Sequence, residues 1–185
     1  RASVGGNLCN ASPAADSTPA LIVLNATCVI AGPSGTREIT AKDFCTAPGQ
    51  TAMGKGELLT SIRIPIPEKN SSSFYLRFIP RNEMDIAVVG VGASVVLDEN
   101  HKSFVSAHIA LGAVAPTPLY AEEASNLLAG QGISDEIINQ AAEAAQAIAR
   151  PISDMRGTAN QRKHLVGVLT RRALNGAVNR VKETE

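Results

Sequence analysis

The pattern of hydrophobic and polar positions changes period along the chain. Residues 19–66 carry short apolar runs broken by turn residues. Pro19-Ala20-Leu21-Ile22-Val23-Leu24 is apolar and starts at a proline, and its spacing fits a short helix or a buried strand equally. Thr27-Cys28-Val29-Ile30-Ala31 reads as a strand, Gly32-Pro33-Ser34-Gly35 as a turn, and residues 36–40 as the strand that answers across a hairpin. Lys42-Asp43-Phe44 reads as a short turn that buries Phe44. Residues 58–66 alternate as a strand with a hard stop at Pro65 and Pro67. The polar, small residues 68–73 read as a linker. Beyond it, residues 74–79, 85–97 and 104–111 read as three strands, the last two joined by the polar turn Asp98-Glu99-Asn100-His101-Lys102, which predicts an antiparallel meander.

From Pro118 the spacing becomes helical. Residues 118–128 form a predicted helix with proline at its start and Gly130 after its end. Ser134-Asp135-Glu136 caps a second helix running to Ile148 and stopped by Pro151. Thr158 caps a third, running to about Lys182, with the apolar stripe Leu165, Val166, Leu169, Ala173, Leu174, Ala177, Val178 and Val181. Charge segregates here: residues 119–149 hold five acids and no Lys or Arg, and residues 156–182 hold seven bases and no acid. A basic helix of this kind is a solvated face, a neighbour for the acidic helices, or a docking face for an acidic partner.

Composition narrows the function classes. At 185 residues and 44% hydrophobic, the chain can bury a core without staples. Its 17 basic and 17 acidic side chains leave no net field for nucleic acid or an anionic membrane, and 3% aromatic content gives no stacking platform. The longest apolar run, residues 86–97, is too short and glycine-rich to span a bilayer. No basic–apolar–small leader is visible, and a start at Arg1 without methionine predicts a cut or processed end with sequence missing upstream. Cys9, Cys28 and Cys45, 19 and 17 positions apart with no C-x-x-C pair, predict reduced thiols in a cytoplasmic protein rather than a metal site.

Two motifs mislead. Gly49-Gln50-Thr51-Ala52-Met53-Gly54-Lys55-Gly56 nearly matches a P-loop, but Gly56 replaces the magnesium-holding hydroxyl and the segment leads into a strand. Gly90-Val91-Gly92 lies within an apolar strand, where glycines that allow close packing fit better than a dinucleotide fingerprint. His101, His108 and His164 show no ligand spacing, and no nucleophile elbow occurs. The chain therefore shows no residue set that carries chemistry alone, and as an enzyme component it would need a cofactor.

The opening stretch, Ser3-Val4-Gly5-Gly6-Asn7-Leu8-Cys9-Asn10-Ala11-Ser12-Pro13-Ala14-Ala15-Asp16, reads as a loop. Adjacent glycines let backbone N–H groups approach a ligand closely, which favours phosphate, although the same composition makes an ordinary turn. Ser3-Val4-Gly5-Gly6-Asn7, followed by Asn10-Ala11-Ser12-Pro13 and Asp16-Ser17-Thr18-Pro19, resembles the second flavin-binding motif of the molybdenum hydroxylases, among them xanthine dehydrogenase and the carbon-monoxide-dehydrogenase flavoprotein. Gly56-Glu57-Leu58-Leu59-Thr60-Ser61-Ile62-Arg63-Ile64-Pro65 is similar to the end of that family's flavin domain. Arg81-Asn82-Glu83-Met84-Asp85-Ile86-Ala87 and Ala110-Leu111-Gly112-Ala113-Val114-Ala115-Pro116-Thr117-Pro118 resemble its C-terminal domain.

The resemblance implies an α+β fold: the C-terminal half of a PCMH-type FAD-binding domain at residues 1–67, the linker at 68–73, and a C-terminal domain at 74–185 with a three-stranded antiparallel sheet and helices. It implies an oxidoreductase component that takes electrons from a [2Fe–2S] small subunit, supplied by a molybdopterin large subunit, and passes them through FAD to NAD or another acceptor. It places Ser3, Val4, Gly5, Gly6 and Asn7 at the FAD pyrophosphate, Asp16 at polar groups of the cofactor, and Leu59 near the flavin. Arg77 stands where some members carry a flavin-proximal lysine. Three departures stand out. The family's first glycine-rich flavin motif is absent, so the N-terminal half of the site is expected from a separate or missing chain. The cysteines do not match the extra iron–sulfur loop of some relatives. Asn160-Gln161-Arg162 replaces a Tyr-Arg pair of the last helix. The competing expectations are a non-catalytic assembly module that docks partner subunits and, further off, a generic phosphate-binding module.

Overall fold

The computed structural model describes residues 2–81 and 85–183; Asn82, Glu83 and Met84 of the Arg81–Ala87 motif lie outside the described residues. The chain opens with a short helix α1 (Val4–Cys9), not the expected loop. Two glycines disfavour a helix intrinsically, but Ser3 caps it and Leu8 is fully buried beneath it, so packing overrides propensity. Helix α2 (Ser17–Val23) resolves the ambiguous apolar run; Leu21, Ile22 and Val23 are all buried.

Strands β1 (Thr27–Gly32) and β2 (Gly35–Thr40) form the expected hairpin, and β5 (Leu58–Arg63) pairs with the other edge of β1, giving the order β2-β1-β5. Between them a turn of helix, α3 (Ala41–Phe44), buries Phe44, and a small hairpin joins β3 (Cys45–Ala47) to β4 (Gln50–Thr51). The P-loop-like segment is therefore strand and turn.

The larger sheet is antiparallel, with β6 (Ser71–Phe78), β7 (Val89–Leu97), β8 (Phe104–Gly112) and β9 (Leu119–Tyr120) in that order. It differs from the predicted meander at its ends. Ser71–Ser73, expected in the linker, pair with Val96, Val95 and Ser94, because sheet pairing uses backbone and small polar side chains do not oppose it. Residues 85–88 precede β7 rather than belonging to it. Leu119 and Tyr120, expected in a helix, pair with Leu111 and Ala110. Pro116 and Pro118 hold that segment extended, and helix α4 begins only at Glu122 and ends at Leu128.

Helix α5 (Asp135–Ile148) is capped by Ser134, whose Oγ accepts from the Ile137 N–H at 3.3 Å. Helix α6 (Ala159–Glu183) has its first turn tied to Thr158, whose Oγ1 accepts from Gln161 N–H at 3.1 Å. The predicted stripe of α6 is buried except at half-buried Leu165. The basic helix packs beside acidic α5. Arg162, 4% exposed, donates to the Val88 and Ala113 carbonyls and to Asp154, pinning α6 to the sheet. Among the described residues, no helix is long and apolar enough to cross a membrane.

The two faces of the larger sheet carry different residues. Val89, Val91, Ala93, Val95 and Leu97 of β7 and Phe104, Ile109 and Leu111 of β8 join the core under α4, α5 and α6. Gly90 and Gly92 alternate to the opposite face. There, a Cβ on Gly92 would lie 3.0 Å from the Pro19 carbonyl oxygen, and one on Gly112 would lie 3.0 Å from Pro19 Cγ. Helix α2 thus rests on a glycine seat of the larger sheet, which welds residues 3–63 to it.

Candidate functional site

The opening motif is organised by its first hydroxyl. Ser3 Oγ accepts from the Gly6 N–H at 3.1 Å, and Ser3 O accepts from Asn7 N–H at 2.9 Å. The other N–H groups of the first turn have no partner within the helix. Gly6 cannot carry a side chain without disturbing this cap, since its Cβ would lie 2.8 Å from Ser3 Oγ. Gly5 faces elsewhere. Its Cβ would meet only Leu59 Cδ2, at 3.8 Å, across a cleft of about 390 Å³ lined by Val4, Gly5, Leu21, Leu59, Ile62 and Ile64 among others. The missing side chain keeps the cleft open down to the helix backbone.

Val4, Gly5 and Leu59 therefore meet at one cleft between α1 and β5, with Gly6 and Asn7 on the same short helix and Ser3 as its cap. Asp16 and Arg77 lie elsewhere and meet each other. Arg77 on β6 forms an ion pair with Asp16 Oδ2, and Tyr75, two residues earlier on the same strand face, donates its hydroxyl to Asp16 Oδ1 at 2.8 Å. The two groups are tied together through α1. Asn7 Oδ1 accepts from both the backbone N–H and the hydroxyl of Ser17, at 3.2 and 2.5 Å.

Sequence reasoning missed Tyr75 and Ser17. The signal for Tyr75 was its i, i+2 relation to Arg77 on a strand, which puts both on one face. Burial, with the Asp16 charge beside it, pushes the Tyr75 hydroxyl well above its ordinary pKa, so it remains a donor. The carboxylate of Asp16 offers about four lone-pair sites, two are used by Tyr75 and Arg77, and the side chain is 42% exposed.

The three cysteines, distant in sequence, share one core region. Cys28 and Cys45 are buried and Cys9 packs against that cluster; all three are free thiols. Burial pushes the Cys28 thiol up to about 11 and raises the other two.

The segment thus offers an open cleft floored by Gly5 and, apart from it, a carboxylate held by Tyr75 and Arg77. Residues 74–177 match the family model of the CO dehydrogenase flavoprotein C-terminal domain, and residues 1–67 match that of the FAD binding domain in molybdopterin dehydrogenase. The chain is 38% identical to the carbon monoxide dehydrogenase medium chain of Afipia carboxidovorans, over 97% of this chain and 61% of that one. It is 31% identical to the glyceraldehyde dehydrogenase medium chain of Sulfolobus acidocaldarius, over 92% and 59%. Its fold superposes on the reconstituted CO dehydrogenase from Oligotropha carboxidovorans with a TM-score of 0.91 at 35% identity, covering 96% of this chain and 61% of that one. For quinoline 2-oxidoreductase from Pseudomonas putida the TM-score is 0.87 at 30% identity, covering 98% and 62%. The chain thus spans about three-fifths of the length of these relatives.

Proposed function

Because this chain belongs to the family of FAD-binding medium subunits of molybdenum hydroxylases, we propose that it forms one wall of an FAD site in an electron-transferring oxidoreductase. The observation that carries this reading is the cleft held open by Gly5 opposite Leu59. In it, Ser3 caps the turn through the N–H groups of Gly6 and Asn7, which leaves those of Val4 and Gly5 for phosphate oxygens. Leu59 and Val4 give the cleft an apolar wall, and Asp16 offers its free acceptor sites to hydroxyl or amide donors. Bound FAD supplies chemistry that matches one-electron iron–sulfur donors to a two-electron acceptor such as NAD. The partners that fit this role are a [2Fe–2S] small subunit, a molybdopterin large subunit, and protein outside this sequence that supplies the facing wall, whether an N-terminal half of the same polypeptide or a separate chain. The neutral, reduced thiols suit work in the cytoplasm.

The test uses the full protein purified with its partners. The wild type carries flavin, read from its visible spectrum. Gly5→Leu fills the cleft while adding a good helix former, so flavin binding weakens about ten-fold or more with no fall in thermal midpoint. A colourless wild-type assembly overturns the reading. Wild-type flavin content retained in Gly5→Leu moves the cofactor away from this cleft and favours a chain that only docks partner subunits.

A further inference from the structure

We infer that Tyr75 is a positioning residue for Asp16, so that the larger sheet sets the orientation of a cofactor-facing carboxylate on the other side of the domain junction. The inference rests on the flavin reading given above.

Tyr75 sits on β6 opposite Gly92 of β7, and Arg77 sits opposite Gly90. Their neighbours Phe74, Leu76 and Phe78 pack toward the helices, so Tyr75 and Arg77 project to the face beneath α2. A Cβ on Gly90 would lie 2.7 Å from Tyr75 Oη and 3.4 Å from Cζ. The ring therefore lies across Gly90, and its hydroxyl occupies the volume a side chain there would take. This gives a role to the first glycine of the Gly90-Val91-Gly92 motif.

From that position Oη donates to Asp16 Oδ1 at 2.8 Å. Asp16 immediately precedes α2, whose Pro19 rests on Gly92 and Gly112. Asp16 lies three residues before Pro19, which rests on the glycine seat, and its carboxylate accepts from Tyr75 and pairs with Arg77. The Arg77 ion pair alone does not fix orientation, because both partners are over a third exposed and a flexible exposed pair contributes little. The half-buried phenol is the directional contact. With Tyr75 and Arg77 each using one, about two of the four lone-pair sites of the partly exposed Asp16 carboxylate remain for a ligand.

The experiment measures FAD dissociation and the thermal midpoint of the flavin-free form, using the full protein. Tyr75→Phe keeps the ring and removes only the donor. Flavin binding is expected to weaken about ten-fold, as for one hydrogen bond to a charged group, while the flavin-free midpoint barely moves. Tyr75→Phe added to Asp16→Asn is expected to cost no more than Asp16→Asn alone, because Tyr75 acts through Asp16. Gly90→Ala, which displaces the hydroxyl with the ring intact, serves as a second variant and reproduces the loss. Unchanged flavin affinity in Tyr75→Phe overturns the inference, as do additive losses in the double variant. A wild type that binds no flavin overturns the underlying reading and this inference with it, whereas a flavin-loaded wild type matched by Tyr75→Phe overturns this inference alone.

Discussion

On one face of the larger sheet, Val89, Val91, Val95, Ile109 and Leu111 meet α4, α5 and α6; on the other, Gly90, Gly92 and Gly112 meet Tyr75 and Pro19. The first face is closed by side-chain volume and the second by its absence. A face closed by volume derives its stability from burial, roughly 25 cal/mol per Å² of apolar area, and tolerates substitutions that conserve volume. A face closed by close approach has less latitude, since a new Cβ meets the Pro19 carbonyl at Gly92, the Pro19 ring at Gly112 and the Tyr75 hydroxyl at Gly90. Among the described residues, the second face is the one that packs against α2, beside the segment that shapes the cleft. Stability and cofactor binding are therefore expected to separate by face.

The sharpest way to break this comparison is to damage each face in turn. Leu174 of α6 is fully buried against the sheet. Leu174→Ala should cost roughly 2–5 kcal/mol of stability, read by urea unfolding, and leave the flavin affinity of the folded protein unchanged. Gly92→Ala should cost less, about 1–3 kcal/mol, because one Cβ must push back the Pro19 backbone. Its effect on flavin binding should exceed that of Leu174→Ala, because moving Pro19 moves Asp16 and Ser17. Gly112→Ala meets only the Pro19 ring at its closest, and belongs at the low end of that range, about 1 kcal/mol. Equal flavin losses from Leu174→Ala and Gly92→Ala would erase the distinction between the faces.

The helical face was largely legible in the sequence. The stripe from Val166 to Val181 and the caps at Ser134 and Thr158 appear where spacing and side-chain chemistry place them. The glycine face was legible only as a hint. Gly90-Val91-Gly92 signalled close approach, but nothing in the local pattern named Pro19, some 70 positions away, as the neighbour. The same limit hid the helix at Val4–Cys9, whose glycines argue against it until Leu8 is seen to be buried. It also hid the Tyr75–Asp16 contact, which joins two segments with no shared period. Local chemistry identified Ser3 to Asn7 and Leu59 as candidates through the family resemblance, and the fold brought Val4, Gly5 and Leu59 to one cleft. The fold also paired Asp16 with Arg77, a contact the resemblance did not imply.

The smallest expected effect concerns the smaller sheet beside the cleft, and it separates the two regions by pH. Arg37 on β2 donates to both carboxylate oxygens of Glu57, at 2.8 and 2.7 Å, and Glu57 also accepts from the Gly54 N–H. The Arg37 hydrogen bond, followed by that from Gly54, holds the Glu57 carboxyl at about 2, against an ordinary 4.5. A depressed carboxyl adds stability that is complete above its ordinary pKa and is lost as pH falls through the folded value. The clamp should therefore be intact above about pH 4.5 and fail progressively toward pH 2. Protection against hydrogen exchange along β1, β2 and β5, taken relative to the intrinsic rate at each pH, should fall in that window before protection along β7 and α6 does. Glu57→Gln should show the weaker protection already at neutral pH, and its difference from wild type should shrink as the pH approaches 2. If β7 and α6 loosen in step with β2 over the same window, the two regions respond as one unit, and the separation between a bulk-sealed face and a glycine-sealed face does not extend to the sheet beyond α2.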